Sequence, residues 1–396
     1  MIKKLMRKFK SLFMYIKCAG LYYVSWFLSL FLRKTAAYKD LWIIAERGDD
    51  ARDNGYHFFK FLRENHKEIN CVYVIPESSP DYEKISSLGR TVTPNTFKHY
   101  LAFASSKAKI STHIMGYAPD SYYFTVLDKK FRLVRGKKIF LQHGIIKDDI
   151  AELHYPHIHV DLFVCSTIPE YEDVNNNYGF PEGVVKRLGL CRYDKLLSEH
   201  ETKRQILVMP TWRYYARELD GEGFKNCEYY KCFNSLLSDT RLHKMLEENG
   251  YELCLYLHYE LQKHSHLFDG GNGRVKILGM DSADVQQLLM ESALLVTDYS
   301  SVFFDFAYMK KPLAYWQFDR ERFFKEQYGE GYFKFDKDGF GPLCTEKDQV
   351  IDFIENEFKN GMSVEDIYAE RVKHHFSEFS VDHCLKTYEA ILDLLR

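Results

Sequence analysis

Short apolar runs, each followed by polar or glycine residues and then by a helical pattern, recur along this chain of 396 residues. Leu41–Ala45, Cys71–Ile75, Lys109–Thr112, Lys138–Gln142 and Val160–Cys165 form a first set. Gln205–Met209, Tyr251–Leu257, Val275–Leu278, Ala293–Val296 and Leu313–Trp316 form a second. Runs this short and apolar read as buried strands, and their alternation with helices implies parallel sheets, so the expected class is α/β. The rhythm pauses at Val185–Asp194 and restarts after Glu201. Two doubly wound, Rossmann-like domains are therefore expected at residues 37–198 and 199–396, behind a segment 1–36 of different character. Hydrophobic residues at 46% and charged residues at 28% suit two globular cores.

Ligands of such sheets bind outside the carboxyl ends of the strands. The notable polar residues stand there: Gln142-His143-Gly144, Pro210-Thr211-Trp212-Arg213, His258, and Asp298-Tyr299-Ser300-Ser301. Two such domains facing each other make a cleft. A neutral imidazole at His143 can take a proton from an attacking hydroxyl, and Gly144 lets the chain turn sharply beside a ligand. His258 can orient a phosphate or act as an acid. Arg213 can pair bidentately with phosphate. Each of these three also has a structural reading, as a backbone-bonded histidine or a salt-bridged arginine. The turn after Val296 offers freed N–H groups and a helix dipole to an anion. It also reads as an N-cap, with Ser300 or Ser301 as the cap and Asp305 in the first turn. The two readings are compatible.

Several classes are disfavoured. The net charge of −2 gives no case for nucleic-acid binding. No phosphate-binding loop G-x-x-x-x-G-K-[ST] exists, and no G-x-G-x-x-G follows a strand. His154, His157 and His159 lack a completing acid or cysteine at known metal spacing. The nine cysteines show no C-x-x-C pair, and Cys71, Cys165 and Cys254 lie inside strand-like runs, which suits buried thiols in a reducing cytosol.

Residues 1–34 carry Lys3, Lys4, Arg7, Lys8, Lys10, Lys17, Arg33 and Lys34 with no acid to offset them. Between them lie Leu12–Ile16 and the aromatic-rich stretch Leu21–Phe31. Lys17 interrupts the apolar run, which is short for a spanning helix of roughly 20 apolar residues. The pattern fits a basic amphipathic helix in the surface of an anionic leaflet, separable from the soluble fold. A helix packed on the soluble core is the alternative.

Taken together, Gln142-His143-Gly144, Pro210–Arg213 and Thr297–Asp305 with Lys310-Lys311-Pro312 resemble the CDP-glycerol glycerophosphotransferase family, the teichoic-acid primases and polymerases and their capsule relatives. Gly189-Leu-Cys-Arg192-Tyr-Asp194 is similar to that family's Gly-x-Pro-Arg-x-Asp element, with Cys191 in place of proline. Asp338–Pro342 resembles its late Pro-Gly-Pro region. The resemblance runs from about residue 40 to 390. It implies a GT-B-type fold, no metal or other cofactor, and a peripheral enzyme on the cytoplasmic face of the cell membrane. The implied reaction moves a glycerol or ribitol phosphate from a CDP-polyol to the hydroxyl of a lipid-linked saccharide or polymer, releasing CMP. On this resemblance His143 is the base and His258 a second essential histidine. Thr211, Arg213, Ser300 and Ser301 hold the diphosphate, and Asp298 braces their turn. A glycosyltransferase of the same fold using a nucleotide sugar is the alternative, and a homo-oligomer is left open.

Overall fold

The computed structural model describes residues 2–279 and 284–396. One sheet joins β1 (Trp42–Ala45), β2 (Cys71–Val74), β3 (Thr91–Val92), β4 (Ala108–Ser111), β5 (Lys137–Phe140), β6 (Leu162–Cys165) and β7 (Val185–Arg187) in the order β3-β2-β1-β4-β5-β6-β7. The other joins β8 (Gln205–Val208), β9 (Glu252–Tyr256), β10 (Val275–Leu278), β11 (Leu294–Thr297), β12 (Leu313–Trp316) and β13 (Leu343–Cys344) in the order β10-β9-β8-β11-β12-β13. Neighbours pair in parallel in both sheets. Strand order reverses between β1 and β4 in one sheet and between β8 and β11 in the other. At such a switch point successive loops leave in opposite directions and open a crevice at the carboxyl ends.

Each sheet is the centre of its own unit. The first unit takes the chain up to His143, Ile150–Asp194 and Ser380–Arg396; the second takes Gly144–Asp149 and Lys195–Phe379. The first unit's middle segment ends at Asp194. The last helix, His383–Leu395, differs from expectation by belonging to the first unit. Strands β1 and β2 are buried on both faces, which explains their unbroken apolar sequence. Trp42 and Ile44 meet Phe58, Phe59, Tyr388 and Ile391 on one side. Ile43 and Ala45 meet Tyr100, Phe103 and Phe124 on the other. In the second unit Ile206, Val208, Leu253, Leu255, Leu294 and Val296 pack with Phe233, Leu236 and Leu246.

Between β8 and β9 lie two successive helices, Glu228–Leu237 and Thr240–Asn249. Asp239 restarts the chain there, its carboxylate accepting from the N–H groups of Arg241 (3.0 Å) and Leu242 (3.2 Å). The strands β3, β7 and β13 are too short to show a periodic signal of their own.

The N-terminal segment is a single helix, Ile2–Leu32. Cys18, Tyr22, Ser25 and Ser29 recur at helical spacing and are buried, so they form one stripe. That stripe packs on the helix Phe97–Ser105. The Tyr22 ring lies 6.0 Å from Phe103 and 5.3 Å from Phe124, and its hydroxyl donates to the Leu133 carbonyl at 2.9 Å. Arg33 closes the helix by donating to the Ala104 carbonyl at 2.6 Å. The segment is therefore keyed into the first unit rather than separable from it. On the opposite side Phe13, Ile16, Tyr23, Phe27 and Phe31 are each more than half exposed. Among the described residues, Ser11–Leu32 is the stretch long and apolar enough to cross a membrane by length and composition. Truncating Tyr22 to alanine removes a buried ring and a hydrogen bond at the seam. It is expected to lower the stability of the first unit by about 3 kcal/mol, measured by urea unfolding.

Candidate active site

In the first unit the carboxyl ends of adjacent strands bring together Glu46 after β1, His113 after β4, His143 after β5 and Ser166-Thr167 after β6. His143 is exposed, and the backbone beneath it is over-determined. Gln142 is held at φ +61°, a left-handed conformation costly for a side chain of this size. Its amide donates to the carbonyl of Val164 and, at 3.2 Å, to Glu170 Oε1. Glu170 is itself fixed by a capping box with Thr167 at the start of the helix Ile168–Asn177. From below, Asn54 Nδ2 donates to the Gln142 carbonyl at 2.7 Å and Arg192 Nη1 to the His143 carbonyl at 3.1 Å. Asn54 Oδ1 accepts from the Arg192 backbone N–H at 3.0 Å, and Asp53 Oδ1 accepts from Arg192 Nη1 at 2.8 Å. The turn that carries the imidazole is thus clamped by side chains from three other segments, those of Asn54, Glu170 and Arg192.

The motif Gly189–Asp194 acquires a part-by-part explanation. Gly189 has φ +77°, and a Cβ there would stand 2.0 Å from His383 Nδ1. Cys191 packs against Thr387, with Sγ 3.7 Å from its hydroxyl. Asp194 accepts from the N–H groups of His383 (2.8 Å) and Cys384 (2.9 Å), fixing the start of the last helix. Arg192 is left to hold Asp53 and His143. The acidic loop Asp49/Asp50/Asp53 thus supplies a partner to that arginine; Arg47 pairs with Asp49 and Asp50.

His113 stacks on His143 with ring centroids 4.6 Å apart and planes at 14°. Burial, with the neighbouring His143 next in weight, pushes the His113 pKa down from 6.5 to about 3. His113 is therefore a neutral wall to the exposed imidazole. Sequence reasoning missed it, because a lone histidine after a short strand carries no motif.

In the second unit the ends of β9, β8, β11 and β12, adjacent in that order, present His258, Thr211–Arg213, Asp298–Ser301 and Gln317–Asp319. Two of these groups, Thr211–Arg213 and Asp298–Ser301, flank the switch point. Asp298 is fully buried, and its Oδ1 accepts from the Thr211 N–H at 2.8 Å and from the Tyr299 N–H. Arg213 is only 1% exposed. Its guanidinium meets Asp319 through Nε (2.7 Å) and Nη2 (3.1 Å), Asp298 Oδ2 through Nη2 (2.9 Å), and the Thr211 carbonyl through Nη1 (2.6 Å). The rings of Tyr299 and Phe323 lie 4.9 and 5.0 Å from its centre. The sequence reading put this arginine on a phosphate; in the structure its donors are committed inward and it ties the two loops together.

The remaining groups have more to offer. The Thr211 hydroxyl has no hydrogen-bond partner among the described residues. Ser301 occupies the N-cap position of the helix Val302–Tyr308 without making a side-chain capping bond. Ser301 therefore does not act as a side-chain cap. Gly144 lies where a Cβ would meet the Ser301 hydroxyl at 2.7 Å, so the glycine is required by close approach. His258 Nδ1 accepts from the Glu260 N–H at 3.3 Å, and its ring stacks on Trp212. A neutral ring so bonded carries its proton on Nε2. Of the other histidines, His154 stacks on Tyr178 and His157 approaches Lys129 Nζ at 2.7 Å.

The family model described as CDP-glycerol:poly(glycerophosphate) glycerophosphotransferase matches residues 26–380. The minor teichoic acid biosynthesis protein GgaB of Bacillus subtilis (strain 168) is 31% identical over 368 residues, covering 90% of this chain and 40% of that protein. A teichoic acid poly(glycerol phosphate) polymerase of Bacillus spizizenii is 33% identical over 165 residues, covering 42% of this chain and 39% of that one. This chain thus spans about two fifths of the length of these relatives. The solved structure of the wall teichoic acid polymerase TagF superposes with a TM-score of 0.65 at 18% identity, covering 98% of each chain. That likeness is one of fold, GT-B-type with two parallel α/β units.

The pKa of His113 yields a test. As pH falls through about 6.5 the unfolded chain takes up a proton at this position, while the folded chain resists until about 3. Stability that is present above about pH 6.5 is therefore lost progressively toward 3. His113→Asn should remove that share of the acid sensitivity, seen as a smaller difference between unfolding midpoints at about pH 7.5 and about pH 4.5.

Proposed function

Since the chain belongs to the CDP-glycerol:poly(glycerophosphate) glycerophosphotransferase family, we propose that it transfers a polyol phosphate, glycerol or ribitol, from a CDP-polyol to a hydroxyl of a lipid-linked saccharide or polymer. The acceptor oxygen attacks the β-phosphorus. The bond from that phosphorus to the bridging oxygen breaks, CMP leaves, and a phosphodiester remains. The observation that carries this reading is the exposed imidazole of His143 on a backbone clamped by Asn54, Arg192 and Glu170. A base pre-set in this way removes the acceptor proton without first having to be ordered. The neighbouring His113, held neutral, adds no positive charge to compete with proton uptake.

On the donor side, the hydroxyls of Thr211, Ser300 and Ser301 and the close-set backbone of Gly144 take the diphosphate oxygens. Charge spreading over those oxygens during transfer is what such donors stabilise. His258, with its Nε2 proton, serves the leaving CMP. Arg213 and Asp298 act as positioning residues that hold the two loops at the switch point. The helix Ile2–Leu32 lies in the surface of the cytoplasmic leaflet, where the lipid-linked acceptor is found. Its buried Cys18–Ser29 stripe supports an interfacial placement over a spanning one, because a spanning helix would have to leave the unit it is packed on.

CMP release from CDP-glycerol and from CDP-ribitol, assayed with lipid-linked acceptors, tests the reading. His143→Ala should lower turnover by roughly 10²- to 10⁴-fold while CDP still binds. No CMP from either donor would refute the proposal, and a preference for UDP or GDP over CDP in a binding panel would favour a nucleotide-sugar glycosyltransferase. Arg192→Lys loses the planar fork that reaches both Asp53 and the His143 carbonyl. It should cut kcat by up to about 10²-fold with little change in the donor KM.

A further inference from the structure

Beside the N-terminal helix, the helix Ser121–Phe131 and the segment after it form a second exposed surface of unusual composition. The sequence Lys129-Lys-Phe-Arg-Leu-Val-Arg135 carries four cations and no acid. Lys129, Lys130, Arg132 and Arg135 are all exposed, and Phe131 is 63% exposed among them. Among the described residues, none of the four cations is within ion-pair distance of a carboxylate; Lys129 meets His157, and Lys130 lies 5.2 Å over the Phe131 ring. Asp128, the acid adjacent in sequence, and Asp161 are engaged elsewhere. Asp128 is buried against Lys138 at 2.8 Å, and Asp161 pairs with Lys137 at 3.3 Å.

This basic segment is continuous with the N-terminal helix. Arg135 lies over Trp26 at 4.9 Å, Tyr123 meets Tyr15 edge-on at 4.6 Å, and Tyr22 bonds the Leu133 carbonyl. Tyr15 and Trp26 sit on one flank of that helix, between its buried stripe and its apolar outer stripe of Phe13, Ile16, Tyr23, Phe27 and Phe31. An interfacial helix sinks roughly 5–10 Å into the boundary between headgroups and acyl chains. Side chains docked along its flank, about one helix width nearer the protein, then reach the level of the lipid phosphates. Exposed cations without a carboxylate partner are attracted to an anionic leaflet.

We infer that Lys129, Lys130 and Arg132, with Phe131 between them, form a second membrane contact that grips anionic phospholipid headgroups while the outer stripe of the N-terminal helix enters the leaflet. The inference rests on the interfacial placement of that helix, and it assigns selectivity for anionic lipid to a different part of the chain. Its occupant is an anionic bilayer, on grounds of charge complementarity and of continuity with the helix.

The test uses the full chain and sedimentation with vesicles of pure phosphatidylcholine or of phosphatidylcholine with phosphatidylglycerol. A triple variant, Lys129→Gln with Lys130→Gln and Arg132→Gln, is compared with Phe27→Ser/Phe31→Ser on the helix. Circular dichroism checks that both are folded. The triple variant should bind phosphatidylglycerol vesicles at least tenfold more weakly and with a shallower salt dependence. The helix variant should lose binding to both vesicle types. Undiminished binding of the triple variant, while the helix variant fails, would overturn the second contact and leave the helix assignment standing. Failure of the wild-type chain to bind any vesicle would overturn both. A change in oligomeric state of the triple variant, with vesicle binding unaltered, would instead make this surface a contact between copies of the chain.

Discussion

A guanidinium withdrawn from water must be neutralised and hydrogen-bonded by the protein around it, or the fold does not tolerate it. Arg213 meets that demand through two carboxylates, Asp298 and Asp319, which approach from the ends of two different strands. The consequence is geometric. The loops after β8, β11 and β12 cannot move independently, because each contributes to the same charge cluster. Asp298 adds a second tie by accepting from the Thr211 N–H. The hydroxyls of Thr211, Ser300 and Ser301 inherit their positions from that buried cluster.

The first unit solves the same problem with a less buried arginine. Arg192 joins the loop after β1, through Asp53, to the turn after β5, through the His143 carbonyl. In each unit an arginine beneath the carboxyl end of a sheet fixes loops that would otherwise be set only by their own sequences. The strain at Gln142 is affordable for this reason: its side chain and carbonyl are both bonded to neighbouring elements.

The sequence made the architecture legible because strands buried on both faces leave continuous apolar runs, as at Trp42–Ala45 and Leu294–Thr297. The strand-end residues His143, Thr211, His258 and Asp298 were legible because polar groups following such runs must sit at the carboxyl edge. Burial at the edge was not legible. Arg213 and a phosphate-binding arginine have the same local sequence, and the approach of Asp319, 106 residues further along the chain, distinguishes them. His113 and Asn54 were missed because their roles depend on β1, β4 and β5 lying side by side. The packing of the N-terminal helix was missed because Cys18, Tyr22, Ser25 and Ser29 form a mixed stripe of small and aromatic residues, which looks weak beside the strongly apolar outer stripe.

The return of Ser380–Arg396 to the first unit bears on the order in which the protein can be completed. Arg192 is held in place by a motif whose glycine and aspartate fit against the helix His383–Leu395. On a ribosome, that helix emerges only after the whole of the second unit. At typical synthesis rates the delay between Asp194 and Ser380 is ~10–40 s. During this interval the first unit has its sheet and its N-terminal helix but lacks the support beneath the turn that carries His143. The turn that carries His143 is therefore braced last, after every strand of both sheets has been made.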